Sequence, residues 1–169
     1  TGVALITVDP SGENQIVVAP GANHAMTIDH LPDRIDTPLI VQLELPVAVV
    51  EAAVARTTGF VCANLAPALA VSPSLLDRLN LIVVNRTEAA FYGDSLHRGP
   101  GLVAMTLGAE GAALYRNGRQ IATAGSPRIK AVDATGAGDA FVAALCVGLL
   151  EAQSLEDALN LACATGAAT

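Results

Sequence analysis

Four short apolar runs, rich in β-branched residues, recur through the middle of the chain. Segments with a helical pattern lie between some of them. The apolar runs lie at residues 39–43, 60–63, 81–84 and 102–106. Runs of this length that are apolar throughout are typical of strands buried on both faces, as in a parallel sheet covered by helices. Residues 47–55 and 72–79 between them are helical in pattern, and Pro46 suits a helix start because its missing N–H costs nothing there. The sequence predicts a three-layer α/β fold with a mostly parallel sheet between helices.

Two β-hairpins are predicted at the margins of this sheet. Residues 3–8 and 15–18 are β-rich runs joined by a cluster of turn formers, which indicates a small hairpin at the front of the chain. Asn117 and Gly118 separate runs 112–116 and 119–123, and both residue types tolerate the positive φ that a tight hairpin turn requires.

Two helices are predicted to follow. Residues 140–150 are apolar all round, which favours a buried helix. A final helix is expected from about Ser154, where Ser154 and Asp157 have the spacing of a capping box.

Composition excludes several classes of protein. The 169-residue chain is 52% apolar and 15% charged, so it can bury a large core. Its net charge is −7 and Lys130 is its single lysine, so it lacks the clustered cations of a nucleic-acid-binding surface. No apolar run reaches the ~20 residues that span a bilayer, so no membrane partner is expected. Cys62, Cys146 and Cys163 have no paired spacing, which favours buried thiols in a reducing, cytoplasmic compartment.

A glycine-rich string stands directly before the predicted apolar helix. It reads Asp-Ala-Thr-Gly-Ala-Gly-Asp at positions 133–139. Backbone N–H groups at a helix start bind anions, and Asp139 could remove a proton from a hydroxyl aimed at a bound phosphate. An ordinary glycine-rich loop with an acidic cap remains the alternative. A dinucleotide fingerprint fails because position 141 is Phe141, and a Walker A loop fails because the chain has no Gly-Lys pair.

The longer string resembles the C-terminal signature D-x-T-G-A-G-D-x-F of the ribokinase-like (PfkB) carbohydrate kinases. Upstream segments resemble further landmarks of that family, in the same order. They are Gly-Ala-Asn at 21–23, Gln-Leu-Glu at 42–44, Asn-Leu-Ala-Pro-Ala at 64–68, Asn-Arg-Thr-Glu at 85–88 and Thr-Leu-Gly-Ala-Glu-Gly at 106–111.

The resemblance implies a role for each matching position. Asp139 would be the catalytic base, and the N–H groups of Gly136, Ala137 and Gly138 would stabilise charge on the transferring phosphoryl group. Glu44 matches the acid that, with Asp139, contacts the sugar. The alternative for Glu44 is a solvated strand end.

The resemblance also implies cofactors. Asn85 and Glu88 would act on Mg²⁺ indirectly, through its waters, although Glu88 could instead lie on an exposed helix turn. Asp133 and Thr135 match positions that hold an activating monovalent cation, K⁺. ATP would contact Asn85, Gly138 and the loop formed by Thr106, Leu107, Gly108, Ala109, Glu110 and Gly111.

The match departs from the family in its extent. Residues 1–20 resemble part of a β lid, and residues 21–169 a kinase core without the family's N-terminal third and C-terminal end. A typical member of the family has an additional helix before the next strand. Residues 94–101 are too few for that helix, so this crossover is expected to be shortened. The resemblance implies ATP-dependent phosphorylation of a sugar hydroxyl, most closely D-ribose to D-ribose 5-phosphate, in a homodimer formed through the lid. The alternatives are another PfkB sugar or nucleoside kinase, or a catalytically incompetent nucleotide-binding fragment, and the chain alone is expected to be nearly inactive.

Overall fold

Eight strands form two separate sheets in the computed structural model, which describes residues 1–8, 14–127 and 135–169. The strands are β1 (Val3–Val8), β2 (Asn14–Ala19), β3 (Leu39–Gln42), β4 (Val61–Asn64), β5 (Leu81–Asn85), β6 (Leu102–Thr106), β7 (Ala112–Arg116) and β8 (Arg119–Ala124). Strands β1 and β2 pair antiparallel as a hairpin, and the other six form one sheet in the order β3-β4-β5-β6-β7-β8. Strands β3 to β6 are parallel, whereas β7 and β8 are antiparallel to their neighbours.

Five α-helices in the described ranges cover the six-stranded sheet. They are α1 (Val47–Arg56), α2 (Pro73–Arg78), α3 (Arg86–Tyr92), α4 (Ala137–Leu150) and α5 (Leu155–Ala168). Leu81 and Val83 of β5 face a core built with α4 and α5, whereas Ile82 and Val84 face a core built with α1 and α2. This alternation follows from the period of two along a strand, and it explains why the strands are apolar on both faces. The predicted three-layer α/β fold is confirmed.

The parallel strands give the sheet two distinct edges. Strands β3, β4, β5 and β6 all end on the same side, which we call the carboxyl edge, and its last strand residues are Gln42, Asn64, Asn85 and Thr106. The opposite side, where these four strands begin, is the amino edge. The β7–β8 turn lies at the amino edge, because Tyr115 pairs with Val103 near the start of β6. Asn117 and Gly118 make that turn with φ values of 51° and 73°, as the sequence predicts.

The start of α4 differs from the prediction. We expected the helix to begin near Ala140, but it begins at Ala137, so Asp139 belongs to its first turn. Gly136 turns the chain into the helix with a left-handed φ of 84°, which favours glycine. Helix α5 packs closely on this first turn, since a Cβ at Gly166 would lie 2.9 Å from the carbonyl oxygen of Ala137. The low helix propensity of Gly136 and Gly138 predicts a helix start near Ala140. The packing of α5 against Ala137 favours the earlier start that the structure has.

The crossover from β5 to β6 is short, as the sequence predicts. Helix α3 has seven residues, and a 3-10 helix over Gly93–His97 follows it before the chain returns to β6. The return passes close to the end of α2, because a Cβ at Gly99 would lie 2.7 Å from the carbonyl oxygen of Leu76. The two strands still pair in parallel over five residues, so the reduced crossover completes the connection.

The β1–β2 hairpin forms its own two-stranded sheet and exposes apolar side chains on both of its faces. They are Val3, Leu5, Ile6, Ile16, Val17 and Val18. The division of the chain into residues 1–20 as lid and 21–169 as core remains a prediction. No helix within the described ranges is long and apolar enough to span a membrane.

Candidate functional site

Asp139 stands at the carboxyl edge beside the end of β3. Its Oδ1 accepts a 2.7 Å hydrogen bond from Nε2 of Gln42, the last residue of that strand. The two residues are 97 positions apart in the chain, so this contact ties the first turn of α4 to the sheet. Asp139 remains exposed, and the bond from Gln42 engages one of its two carboxylate oxygens. The sequence predicts no role for Gln42, although a polar residue within an apolar run was the available signal. Strand β3 is an edge strand with Ile40 exposed, so the expectation that it is buried on both faces is wrong.

The start of α4 has glycine in place of a capping side chain. Within the described ranges no side chain hydrogen-bonds to cap this terminus, whose N-cap residue is Gly136. A Cβ added at Gly138 would meet no described atom within 4 Å, so the outer side of this turn is uncovered at that residue. The first N–H groups of a helix have no intrahelical acceptor and carry its positive partial charge. Gly136, Ala137 and Gly138 therefore present donors next to the Asp139 carboxylate.

Asn85 and Glu88 form a reciprocal cap at the start of α3. The Asn85 side-chain oxygen accepts a 2.9 Å bond from the N–H of Glu88, and Oε2 of Glu88 accepts a 2.7 Å bond from the N–H of Asn85. Glu88 is 8% exposed, so the alternative that it lies on an exposed helix turn is wrong. The N-x-x-E pattern has the spacing of a capping box. This structural role was not predicted for Asn85 and Glu88 from the sequence.

The predicted nucleotide loop joins β6 to β7 beside Asn85. Thr106, its first residue, pairs with Asn85 across the parallel strands. The loop is tight, because Leu107 donates a 2.8 Å bond to the carbonyl of Gly111. Gly111 has a φ of 102°, and a Cβ there would clash with the backbone at Ala124, so only glycine suits the position. A 2.6 Å ion pair between Arg86 and Glu110 spans from the start of α3 to this loop.

Glu44 lies just beyond β3 and lines a cavity of about 330 Å³. Gln42, the partner of Asp139, lines the same cavity together with Asn23 and apolar side chains. Glu44 itself is exposed. The cavity therefore connects the predicted sugar-contacting acid with the group that holds Asp139.

The structure thus brings most of the predicted residues to one edge of the sheet. Asn85, Glu88, the 106–111 loop and Asp139 all lie at the carboxyl edge, where open α/β sheets bind ligands. Asp133, the predicted cation ligand, lies outside the described residues, and Thr135 is half-buried. In the described part of the chain, no three His, Cys, Asp or Glu side chains gather as a metal-chelating group. Asn85 and Glu88 supply the hard oxygen donors that Mg²⁺ prefers, so the donor chemistry fits that ion.

Known proteins resemble this chain over its whole length. The family model described as pfkB family carbohydrate kinase matches residues 1–169. The ribokinase of Schizosaccharomyces pombe is 32% identical, and the match covers 100% of this chain and 61% of that protein. The chain therefore spans about three fifths of the length of that relative.

Solved structures resemble the fold. The crystal structure of ribokinase from Thermotoga maritima has a TM-score of 0.85 at 28% identity, covering 99% of this chain and 62% of that one. The ribokinase of Cryptococcus neoformans var. grubii serotype A in complex with ADP has a TM-score of 0.80 at 27% identity, covering 98% of this chain and 64% of that one. With the family model matched from end to end and the carboxyl-edge residues in place, the chain belongs to the pfkB family of carbohydrate kinases.

Proposed function

We propose that the full-length protein transfers the terminal phosphoryl group of ATP to a hydroxyl of D-ribose, giving D-ribose 5-phosphate and ADP. The observation that carries this proposal is the position of Asp139. Its carboxylate is held by Gln42 in the first turn of α4, beside the first backbone N–H groups of that helix. A base next to an anion-binding helix start is the arrangement that phosphoryl transfer to an alcohol requires.

The chemistry assigned to these residues is a single displacement. The Asp139 carboxylate accepts the proton of the sugar hydroxyl as the hydroxyl oxygen bonds to the terminal phosphorus, and the bond from phosphorus to the ADP oxygen breaks. The N–H groups of Gly136, Ala137 and Gly138 stabilise the charge on the transferring group. Because these donors belong to a fixed helix turn, they need no reorganisation during the reaction.

Mg²⁺, K⁺ and ATP complete this proposal. Asn85 and Glu88 would hold Mg²⁺ through its waters, and the ion would supply positive charge beside the phosphates. Thr135, with Asp133, would hold K⁺. The 106–111 loop would line ATP, and the ADP in the relative from Cryptococcus neoformans supports a nucleotide of this class.

Ribose is proposed as the acceptor because the named relatives are ribokinases. Glu44 would hydrogen-bond the sugar from the cavity that Gln42 also lines. A sugar held by Glu44 in this cavity would have to extend past Gln42 for its hydroxyl to reach Asp139.

We also propose a homodimer formed through the β1–β2 hairpin and a cytoplasmic location. A two-stranded sheet is marginally stable alone, and this one exposes apolar side chains on both faces, so a second copy would bury them. Cys62, Cys146 and Cys163 are free and buried, which agrees with a reducing compartment. Burial raises the pKa of the Cys163 thiol, so this group stays protonated at neutral pH.

The test is a phosphorylation assay of the full-length protein with Mg·ATP, with and without K⁺, against a panel of pentoses, hexoses and nucleosides. We expect D-ribose to give the highest kcat/KM, with K⁺ increasing turnover. Preferential phosphorylation of a nucleoside would overturn ribose as the acceptor but retain the kinase assignment. Absence of phosphoryl transfer to every acceptor would overturn the kinase assignment itself.

A further inference from the structure

At the carboxyl edge, an ion pair links the segments that follow β5 and β6. Arg86, directly after β5, donates to Oε1 of Glu110 in the 106–111 loop at 2.6 Å. The Arg86 and Glu110 side chains are 58% and 70% exposed. Exposed pairs of this kind contribute little to stability, so the fold gains little from it. A ligand can therefore separate the two side chains at low cost.

Arg86 differs from the other described arginines in its location. Arg78 bonds the carbonyls of Thr57 and Gly59 ahead of β4, and Arg98 pairs with Asp77 ahead of β6. Both positions are at the amino edge. The described arginines at the amino edge are Arg34, Arg56, Arg78, Arg98, Arg116 and Arg119. Within residues 1–8, 14–127 and 135–169, Arg86 is thus the arginine that stands at the carboxyl edge.

Among the described residues, the other charged side chains at the carboxyl edge are acidic. Glu44, Glu88, Glu110 and Asp139 all lie there, in a chain whose net charge is −7. A polyphosphate that approaches this edge meets like charge, which opposes binding unless a cation compensates. The end of β5 lies two strand spacings, about 10 Å, from the end of β3 at Asp139. Arg86 is therefore placed to meet a polyphosphate whose terminal phosphoryl group lies at Asp139.

We propose that Arg86 binds the phosphates of the nucleotide, and that Glu110 holds its guanidinium until the polyphosphate replaces the carboxylate. This inference rests on the proposed function, and it assigns a further positioning residue within that site. The planar guanidinium matches a phosphate as well as it matches a carboxylate, because both accept two parallel N–H bonds. The exchange is noncovalent: one anionic partner leaves the guanidinium and another takes its place.

The test is a calorimetric binding series on the full-length protein, with Mg·ATP and with adenosine as ligands. Arg86→Gln should raise the Kd for Mg·ATP about tenfold, since a charged hydrogen-bond donor is lost. Adenosine, which has no phosphate, should bind this variant as it binds the unmodified protein. Arg116→Gln removes the same charge at the amino edge and should leave both affinities unchanged.

Glu110 is predicted to act in the opposite direction, because it competes with the phosphates for Arg86. Glu110→Gln should lower the Kd for Mg·ATP about threefold, the scale of an exposed ion pair. In the double variant the gain from Glu110→Gln should be smaller than in the unmodified background, since the part that passes through Arg86 is lost. Glu156→Gln, an exposed acid near the start of α5, is the matched control and should change nothing.

The outcomes separate this inference from the proposed function. Unchanged Mg·ATP affinity in Arg86→Gln, or an equal loss in Arg116→Gln, would overturn the role of Arg86 while leaving the kinase assignment intact. Weaker binding by Glu110→Gln would overturn the exchange and indicate that the pair is a brace for the loop. Failure of the unmodified protein to bind Mg·ATP would overturn the proposed function and this inference with it.

Discussion

Gln42 is the residue whose contact gives Asp139 a fixed position. The 2.7 Å bond from its amide reaches one carboxylate oxygen and leaves the other available to a hydroxyl. Positioning of this kind affects the transition state more than substrate binding, since a displaced base loses alignment without changing the phosphate contacts. We therefore propose that Gln42 is a positioning residue that acts through Asp139.

Gln42→Leu is predicted to lower kcat of the full-length protein about tenfold while leaving KM for ATP nearly unchanged, because only the orientation of the base is lost. Steady-state kinetics with a thermal unfolding scan measure both effects. Gln153→Leu, at the amino edge between α4 and α5, is the control and should keep full activity. A matching fall in thermal stability and activity would contradict a positioning role for Gln42.

At the scale of elements, the N-x-x-E segment combines a structural and a proposed chemical role. Asn85 and Glu88 cap α3 with reciprocal bonds, and the same oxygens are the donors assigned to Mg²⁺. The cap fixes both side chains at the end of β5, next to the nucleotide loop. The cap therefore orients the two side chains that are proposed to act on Mg²⁺.

The two roles of Glu88 can be separated by two substitutions. Glu88→Ala should lower the free energy of unfolding by about 1 kcal/mol, because the part-buried N–H of Asn85 loses its capping acceptor. Glu88→Gln keeps an acceptor for that N–H, so it should retain most of the stability while raising the Mg²⁺ concentration needed for half-maximal activity. Urea unfolding and magnesium titrations measure these quantities. An unchanged magnesium requirement in Glu88→Gln would contradict the proposed metal role.

The contact between α4 and α5 depends on a close approach at Gly148. A Cβ there would lie 2.8 Å from the Cβ of Ala158, which is fully buried. Gly148→Val should therefore destabilise the protein by about 1–3 kcal/mol through overpacking. Gly125→Ala is the control, since a Cβ at Gly125 meets no atom within 4 Å. Equal urea midpoints in the two variants would contradict this prediction, because they would show that α4 and α5 can move apart without a loss of stability.

At the scale of the whole molecule, the exposed hairpin predicts self-association. Leu5 and Val17 are cross-strand partners and are each 66% exposed. Leu5→Asp should convert a dimer of the full-length protein into a monomer, because a charge in an apolar interface is costly to desolvate. Ile121→Asp changes an exposed apolar residue of the six-stranded sheet and should leave the dimer intact. Sedimentation velocity distinguishes the species, and a dimeric Leu5→Asp variant would contradict association through the hairpin.

Most of the fold was predictable because its signals are local. The strand β6 has the predicted bounds, and the Asn117–Gly118 turn follows from residues that tolerate positive φ. The start of α4 was predicted three residues late, because packing against Gly166 overrides the low helix propensity of glycine. The carboxyl-edge placement of Asn85 and the 106–111 loop followed from the strands that precede them.

The contacts within the site were less predictable. The bond from Gln42 to Asp139 joins residues 97 positions apart, and the pair of Arg86 and Glu110 joins residues 24 positions apart. Such contacts depend on how the strands and helices are assembled, and no local pattern encodes them. The roles of the site residues remain predictions for experiment.

The central claim is that Asp139 is the base for phosphoryl transfer at the carboxyl edge. It is tested most directly by comparing turnover with nucleotide binding in Asp139→Asn of the full-length protein, supplied with D-ribose, Mg·ATP and K⁺. The amide keeps the shape of the carboxylate but cannot accept the proton, so kcat should fall roughly 10²–10⁴-fold while the Kd for Mg·ATP stays nearly unchanged. Retained turnover, or an equal loss of turnover and nucleotide binding, would contradict the claim.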